Sequence, residues 1–331
     1  MGKIVLYVIM SAKNKRPTIY DLAKLADVSP GTVSRVLNNK DKVNPKTREK
    51  ILGLAHKIGL KPRATARNKE VAVITEPHFT DRYRGYASVL TSHVAFALSE
   101  QNIGMLLPSD PVKQLPGYFI DGVIAITYEP EIQTMLREVE KMIPVVYLDN
   151  FEATAQQYVV RSDHYQSGYE AAQYFIERGM KKLAFISGDT SPSRIRLKGY
   201  TDAIKEAAFP VDGKLQILMK DEDSIYTIVN RVVKSGADAL FAPGASMQAI
   251  ETLHVLNNVM GLNVPNDISL IGGENTGISM YQHPPLTTMN SPFNRMAKTA
   301  VEMVLALSEK QPIEQRSVTL PEELIARDSV R

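Results

Sequence analysis

The chain contains no cysteine and no tryptophan. Without cysteine it can form neither a disulfide framework nor a zinc finger, and it suits a reducing cytoplasm. No apolar run reaches the 18 residues a membrane span requires. The six histidines include no i, i+4 pair and no metal-ligand spacing. No Gly-x-Ser-x-Gly nucleophile elbow occurs. The stretch Gly272 to Gly277 fails as a phosphate loop, because Ile278 stands where a lysine is required. No catalytic constellation, metal or cofactor is therefore expected, and the chain is not read as an enzyme. Lys3 and the run Ile4 to Met10 are at the lower limit for a signal peptide, and Lys13, Lys15 and Arg16 follow at once. Met10 reads as the natural start, residues 1–15 as a disordered extension, and the compartment as cytoplasmic.

What is present is distributed unevenly. The net charge of +3 over 331 residues combines two opposite halves. Residues 1–69 hold 16 Lys/Arg against 4 Asp/Glu, a net of +12, and the remainder holds 23 against 32, a net of −9. A basic module fused to an acidic body points to a polyanionic partner for the module alone. A hydrophobic content of 44% marks a folded chain, and its length allows two or three domains.

The module spells two short helices and a turn. Thr18 caps a helix carrying Leu22, Ala23, Leu25 and Ala26. Asp27-Val28-Ser29 interrupts it, Ser29 caps the next helix, and Pro30 suits its first turn. Val33, Val36 and Leu37 make one apolar stripe, while Gly31, Thr32, Ser34, Arg35 and Asn38 face elsewhere. A buried stripe behind a small, hydroxylated and cationic face is what a helix entering a DNA major groove needs. Arg35 is placed to meet a guanine edge or a phosphate. Ser29, Thr32, Ser34 and Asn38 suit phosphates, with Ser29 also a cap. Asn44-Pro45 opens a third helix to about Ile58, with Ile51, Leu54, Ala55 and Ile58 facing inward. A basic connector follows from Pro62 to Lys69.

From Val71 the pattern becomes α/β. Apolar runs at Val71–Ile74, Gly104–Leu107, Gly122–Ile126, Pro144–Leu148, Leu183–Ser187, Ala239–Phe241 and Ile268–Ile271 alternate with helices near 83–101, 130–141, 165–178, 195–207, 224–235, 246–259 and 293–309. That alternation means parallel sheets with right-handed crossovers. The number of strands implies two lobes, with ligands at the carboxyl ends of strands. Between Leu107 and Asp121 the prolines leave little room for a crossover helix.

Three separated motifs resemble the LacI family of bacterial transcription regulators. The first is Thr18, Asp21-Leu22-Ala23 and Val28-Ser29-Pro30-Gly31-Thr32-Val33-Ser34-Arg35-Val36-Leu37-Asn38, with Lys46-Thr47-Arg48 beyond it. The others are Pro284-Pro285-Leu286-Thr287-Thr288 and Leu320-Pro321-Glu322-Glu323-Leu324. The resemblance spans nearly the whole chain from Arg16. It implies a helix-turn-helix headpiece over residues 16–61 and a hinge over 62–70. Residues 71–331 would form a periplasmic-binding-protein-like body, with lobe one about 71–158 and 290–320 and lobe two about 159–289. It also implies a homodimer on double-stranded operator DNA, gated by a small-molecule effector, a sugar or sugar derivative.

By that resemblance Thr18 and Tyr20 meet the DNA backbone, and Pro30 and Gly31 occupy the positions that select base sequence. Neither offers a side-chain hydrogen bond, so readout is expected to lean on Arg35, the Pro30 ring and DNA shape. In the hinge, Arg63 and Arg67 are DNA-binding candidates, and Lys69 stands where the family has a leucine wedge. A less kinked operator or a differently folded hinge follows. Effector candidates are Arg196, before Gly199-Tyr200, together with Asp149, Glu274 and Tyr83; Tyr83 and Tyr86 either stack on a sugar or belong to the core. Gly244-Ala245 replaces the family's Asn-Asp. Asp163 and Gly168 read as structural. Two alternatives stay open: a body that only dimerises or binds a protein partner, and a solute-binding protein, against which the basic helix pair argues.

Overall fold

The computed structural model describes residues 17–38, 43–58, 60, 69–75, 84–115, 118–220, 222–244, 247–274 and 277–331. The anticipated extension over residues 1–15, and Arg63, Arg67 and Tyr83, lie outside them. Two compact units are drawn from Met1–His78, Ala95–Leu148 and Ala300–Glu314, and from Phe79–Val94, Asp149–Thr299 and Gln315–Arg331. Residues 84–94, 149–158, 290–299 and 315–320 thus group with the second unit rather than with the expected first lobe.

The first unit begins with α1 (Ile19–Ala26), α2 (Pro30–Leu37) and α3 (Pro45–Ile58). Sequence-local hydrogen bonds fix their ends. Thr18 Oγ1 accepts from Asp21 N–H at 3.3 Å, and the Asp21 carboxylate accepts from Thr18 N–H at 2.9 Å, closing a capping box. Asp27 ends α1 in the left-handed conformation at φ 57°. Ser29 Oγ accepts from Thr32 N–H at 3.1 Å and starts α2. Asn44 Oδ1 takes Lys46 N–H at 2.9 Å at the start of α3. Leu22, Ala26, Val33, Val36, Leu37, Ile51, Leu52 and Ala55 are buried between the helices. Leu52, which the sequence reading did not place inward, is fully buried on α3 beside Ile51 and Ala55, while Leu54 and Ile58 pack against the same core partly buried.

The first unit then builds a parallel sheet in the order β4 (Val145–Leu148), β3 (Gly122–Ile126), β1 (Glu70–Thr75), β2 (Gly104–Leu106). Val71 pairs with Gly122, and Val123 with Val145. The connections are α4 (Arg84–Glu100), the four-residue α5 (Pro111–Gln114) and α6 (Pro130–Val139). The short α5, capped by Asp110, is all the crossover that the prolines permit.

The second unit contains β5 (Tyr158–Ser162), α7 (His164–Glu177), β6 (Leu183–Gly188), α8 (Ser191–Glu206), β7 (Gln216–Met219) and α9 (Ile225–Lys234). After them come β8 (Ala239–Ala242), α10 (Gln248–His254, continued by a π turn to Val259), β9 (Ser269–Glu274), β10 (Thr287–Asn290), α11 (Phe293–Ser308, of which the part from Ala300 belongs to the first unit), β11 (Ser317–Leu320) and β12 (Glu323–Ile325). Its sheet runs β12-β10-β9-β8-β6-β7, parallel except for β12, and β5 pairs in parallel with β11. The fold is α/β, with two sheets of mostly parallel strands and a helical headpiece, as expected. Among the described residues no helix is long and apolar enough to cross a membrane.

Gly168 and Gly199 have a specific packing task. A Cβ on Gly168 would lie 1.9 Å from the Arg196 carbonyl oxygen, and one on Gly199 would lie 2.0 Å from that of Tyr165. Helices α7 and α8 therefore cross in backbone contact. Asp163 caps α7 by accepting from Gln166 N–H at 3.0 Å, the structural role read from the sequence.

Candidate nucleic-acid interface and ligand site

The headpiece keeps one face outside its core. Thr18, Ser29, Gly31 and Arg35 are exposed, and Tyr20 is 70% exposed. Pro30, Thr32, Ser34 and Asn38 are half-buried beside them. Several of the hydroxyl and amide groups also serve the helix. Ser29 Oγ lies 2.9 Å from Thr32 Oγ1, and Asn38 Nδ2 donates to Ser34 O at 2.8 Å. Arg35 Nε donates to Gly31 O at 3.3 Å, which sets the guanidinium over the start of α2. A Cβ on Gly31 would lie 3.7 Å from Arg35 Nη2 and from Ser29 Oγ, ordinary contact distances. The bare surface there is a matter of sequence and not of space. Lys69, at the entry to β1, is ion-paired with Glu309 beyond the end of α11. Such half-exposed pairs contribute little, so a phosphate can take the lysine at small cost.

In the second unit the structure brings two of the predicted effector residues into one buried network. Asp149 follows β4 in the left-handed region at φ 50° and is fully buried. Its Oδ1 accepts from Ser162 N–H at 2.7 Å, and its Oδ2 accepts from the Tyr86 hydroxyl. His164 Nε2 stands 3.6 Å from the same Oδ2, and its Nδ1 lies 2.7 Å from Glu322 Oε1. Arg196 Nη2 donates to that Glu322 oxygen at 2.6 Å, and Ser291 Oγ reaches it at 3.4 Å. Two carboxylates thus share two cations, which is how buried charges are made tolerable.

The protonation states follow. Burial raises the Glu322 pKa, but the Arg196 charge and then the His164 hydrogen bond and charge outweigh it, holding the carboxyl well below its ordinary 4.5. Burial and Arg196 lower the His164 pKa, but Asp149 and Glu322 prevail and lift it above 6.5. The two carboxylates on either side of the His164 ring thus favour its charged form.

Sequence reasoning did not select His164 or Glu322. The Glu322 motif was visible as a family signature, and nothing in the sequence placed it against Arg196. Tyr86 is taken up by Asp149 and by an edge contact with Phe293 at 5.4 Å. Glu274 ends β9, opposite Asn290; its side chain lies outside the described residues. At Gly244 a Cβ would lie 1.7 Å from Gln248 Oε1, so the Gln248 carboxamide fills the space that Gly244 leaves. A cleft of about 570 Å³ opens beside the network, lined by His93, Asn290, Ser291, Phe293, Pro321 and Glu322 among others.

Two family models match this chain. "Bacterial regulatory proteins, lacI family" takes residues 18–63, and "Periplasmic binding protein-like domain" takes residues 172–330. Catabolite control protein A of Priestia megaterium is 29% identical over 333 residues, covering 95% of this chain and 99% of that protein. The HTH-type transcriptional repressor PurR of Photobacterium profundum is 28% identical over 331 residues, covering 95% and 98%. Among solved structures, a transcriptional regulator CelR–cellobiose complex superposes with a TM-score of 0.69 at 26% identity, covering 95% of this chain and 100% of that one. The lac repressor dimer bound to operator and the anti-inducer ONPF gives 0.64 at 22% identity, covering 95% and 99%, and bears on the fold alone. A capped helix pair with an exposed cationic face, a two-sheet α/β body and these matches lead to one conclusion: the chain belongs to the LacI family and is a DNA-binding transcriptional regulator.

Proposed function

We propose that the chain acts in the cytoplasm as a homodimeric repressor whose α2 enters the operator major groove. The observation that carries this is the exposed face of Thr18, Tyr20, Ser29, Gly31 and Arg35 on a completed headpiece core. Arg35 reads a guanine edge, while Thr18, Tyr20 and Ser29 set register on phosphates. The net charge of +12 over residues 1–69 supplies the salt-dependent part of the affinity. Arg35→Ala is expected to weaken operator binding by about 1–3 kcal/mol. Titration of operator DNA at fixed salt measures this, and an unchanged Kd would remove Arg35 from the interface.

Gly31 gives a complementary prediction. Gly31→Gln is expected to keep or raise headpiece stability, because a helical glycine costs about 1 kcal/mol against a side chain that fits. The same variant is expected to change which bases are preferred, since it adds a donor and an acceptor at the groove. Headpiece unfolding together with binding-site selection tests both halves.

The second unit is proposed to bind a small polar effector, a sugar or sugar derivative, with Arg196, Asp149 and Glu274 among its ligands. Two buried atoms support this: Arg196 Nε and Gln248 Oε1 have no hydrogen-bond partner among the described residues. A ligand hydroxyl is the kind of group that satisfies such atoms. The CelR relative, solved with cellobiose, carries the same fold. A second reading, a body that only dimerises or meets a protein partner, is favoured by the prior engagement of Arg196, Asp149 and Tyr86 with the chain's own groups. Thermal-shift screening of sugars and nucleosides separates the two, because a bound ligand raises the melting temperature by mass action.

A further inference from the structure

Phe119 lies some sixty residues beyond the headpiece, in the loop before β3, yet it is only 2% exposed. Its neighbours are headpiece residues: it belongs to the cluster formed by Leu22, Val36, Ile51, Ala55 and Leu60. The ring stacks on His56 with centroids 5.6 Å apart and planes 14° from parallel. Leu60, whose N–H closes the end of α3 on Ala55 O at 3.0 Å, is buried in the same cluster.

The loop that presents Phe119 is itself anchored. Asp121 N–H donates to Glu70 O at 2.7 Å, and Asp121 Oδ2 accepts from Glu70 N–H at 3.0 Å. Tyr118 N–H donates to Leu115 O at 3.1 Å. Glu70 is the first residue of β1, so the ring is held where the connector enters the body sheet. The amino-terminal ends of β1 and β3 thus offer one aromatic side chain to the headpiece.

The side of the headpiece that receives the ring decides its role. His56 and Leu60 lie at the C-terminal end of α3. The exposed DNA-facing residues, Thr18, Tyr20, Ser29, Gly31 and Arg35, lie on α2 and at the start of α1. A ring on the end of α3 leaves that face open, so holding the headpiece and binding DNA are compatible. We infer that Phe119 is a positioning residue for DNA binding: it clasps the headpiece to the body through α3 and restricts its orientation. Two headpieces of a dimer must meet half-sites about one helical turn apart. A headpiece already oriented loses less freedom when it docks, and its second engagement occurs at a higher effective concentration.

The inference rests on the DNA-binding reading, and the test separates the two. Full-length wild type, Phe119→Ala and Phe119→Leu are titrated with a selected operator carrying two half-sites and with a duplex carrying one. Phe119→Ala is expected to lower affinity for the two-site operator by about tenfold, with single-site affinity and body melting temperature unchanged. Phe119→Leu, which keeps an apolar plug, is expected to restore most of the loss. Equal losses on both duplexes would mean that the ring only supports the headpiece fold, and no loss on either would mean that it holds nothing; each overturns the clasp. If wild type binds neither duplex, the DNA reading fails and the clasp with it. Because the chain has no tryptophan, Phe119→Trp supplies the single indole, excited to the red of the 14 tyrosines. Blue-shifted emission from a buried indole, retained on operator, is expected. Emission typical of a water-exposed indole contradicts the contact.

Discussion

Glu322→Ala is expected to destabilise the second unit by about 3–5 kcal/mol, the effect of leaving buried charges unpaired. One oxygen of this carboxylate takes Arg196 at 2.6 Å and His164 at 2.7 Å, and the side chain is 1% exposed. Removing it leaves the buried His164 ring and the nearly buried Arg196 guanidinium without the carboxylate they share. Glu322→Gln keeps the shape but not the charge and should cost less. Chemical denaturation followed by circular dichroism measures both. A loss below 1 kcal/mol for the alanine variant would show that the network is not the electrostatic centre of this unit.

The same network fixes a pH dependence of stability. The His164 pKa is raised in the folded chain, so its contribution is complete below the unfolded value of 6.5 and is lost as pH rises through the folded value. The Glu322 pKa is lowered, so its contribution is complete above 4.5 and is lost as pH falls through the folded value. Their combined contribution is therefore largest between pH 4.5 and 6.5. The alkaline decline in melting temperature is expected to flatten in His164→Gln.

Gly168→Ala is expected to be the other large loss, about 3 kcal/mol, at the upper end of ordinary overpacking. The atom that the new methyl meets, at 1.9 Å, is the Arg196 backbone oxygen, which cannot rotate away. Relief requires α7 and α8 to separate. That movement also draws Arg196 away from Glu322, so the loss includes part of the ion network. Gly199→Ala meets the Tyr165 carbonyl oxygen at 2.0 Å and should behave alike. The double variant should cost less than the sum, because one separation accommodates both methyl groups. Gly53→Ala is the control: nothing lies within 4 Å of a Cβ there, and helix propensity favours alanine by up to about 1 kcal/mol. Unfolding midpoints of the four proteins test the ordering.

The headpiece was legible in the sequence because its signals are local. Thr18, Asp21, Ser29, Pro30 and Asn44 act within three residues of themselves, and each cap stands where the pattern put it. The long strands were legible because they are buried on both faces and read as continuous apolar runs. The strands β10 and β11 were not, since Thr-Thr-Met-Asn and Ser-Val-Thr-Leu carry no such run and gain their state from neighbours distant in the chain. The ligand side was legible only in part. Arg196 and Asp149 could be named as strand-end or helix-end charges. Their pairing through His164 and Glu322 joins residues more than a hundred positions apart, and no spacing rule encodes it. Gly168 showed as a motif residue, while the reason for it, a backbone crossing with Gly199, exists only in three dimensions. Phe119 gave no signal in a loop read as trimmed.

The central claim, that α2 reads operator DNA and does so chiefly through Arg35, is most directly tested by selecting binding sites from random duplex DNA. Wild type, Arg35→Ala and Gly31→Gln would be run in parallel at one salt concentration. Wild type is expected to recover a two-fold symmetric site with a guanine in each half. Arg35→Ala should lose the preference at that guanine while retaining the rest, and Gly31→Gln should alter the neighbouring position. Recovery of the same sequences by wild type and Arg35→Ala, with equal enrichment, would contradict it.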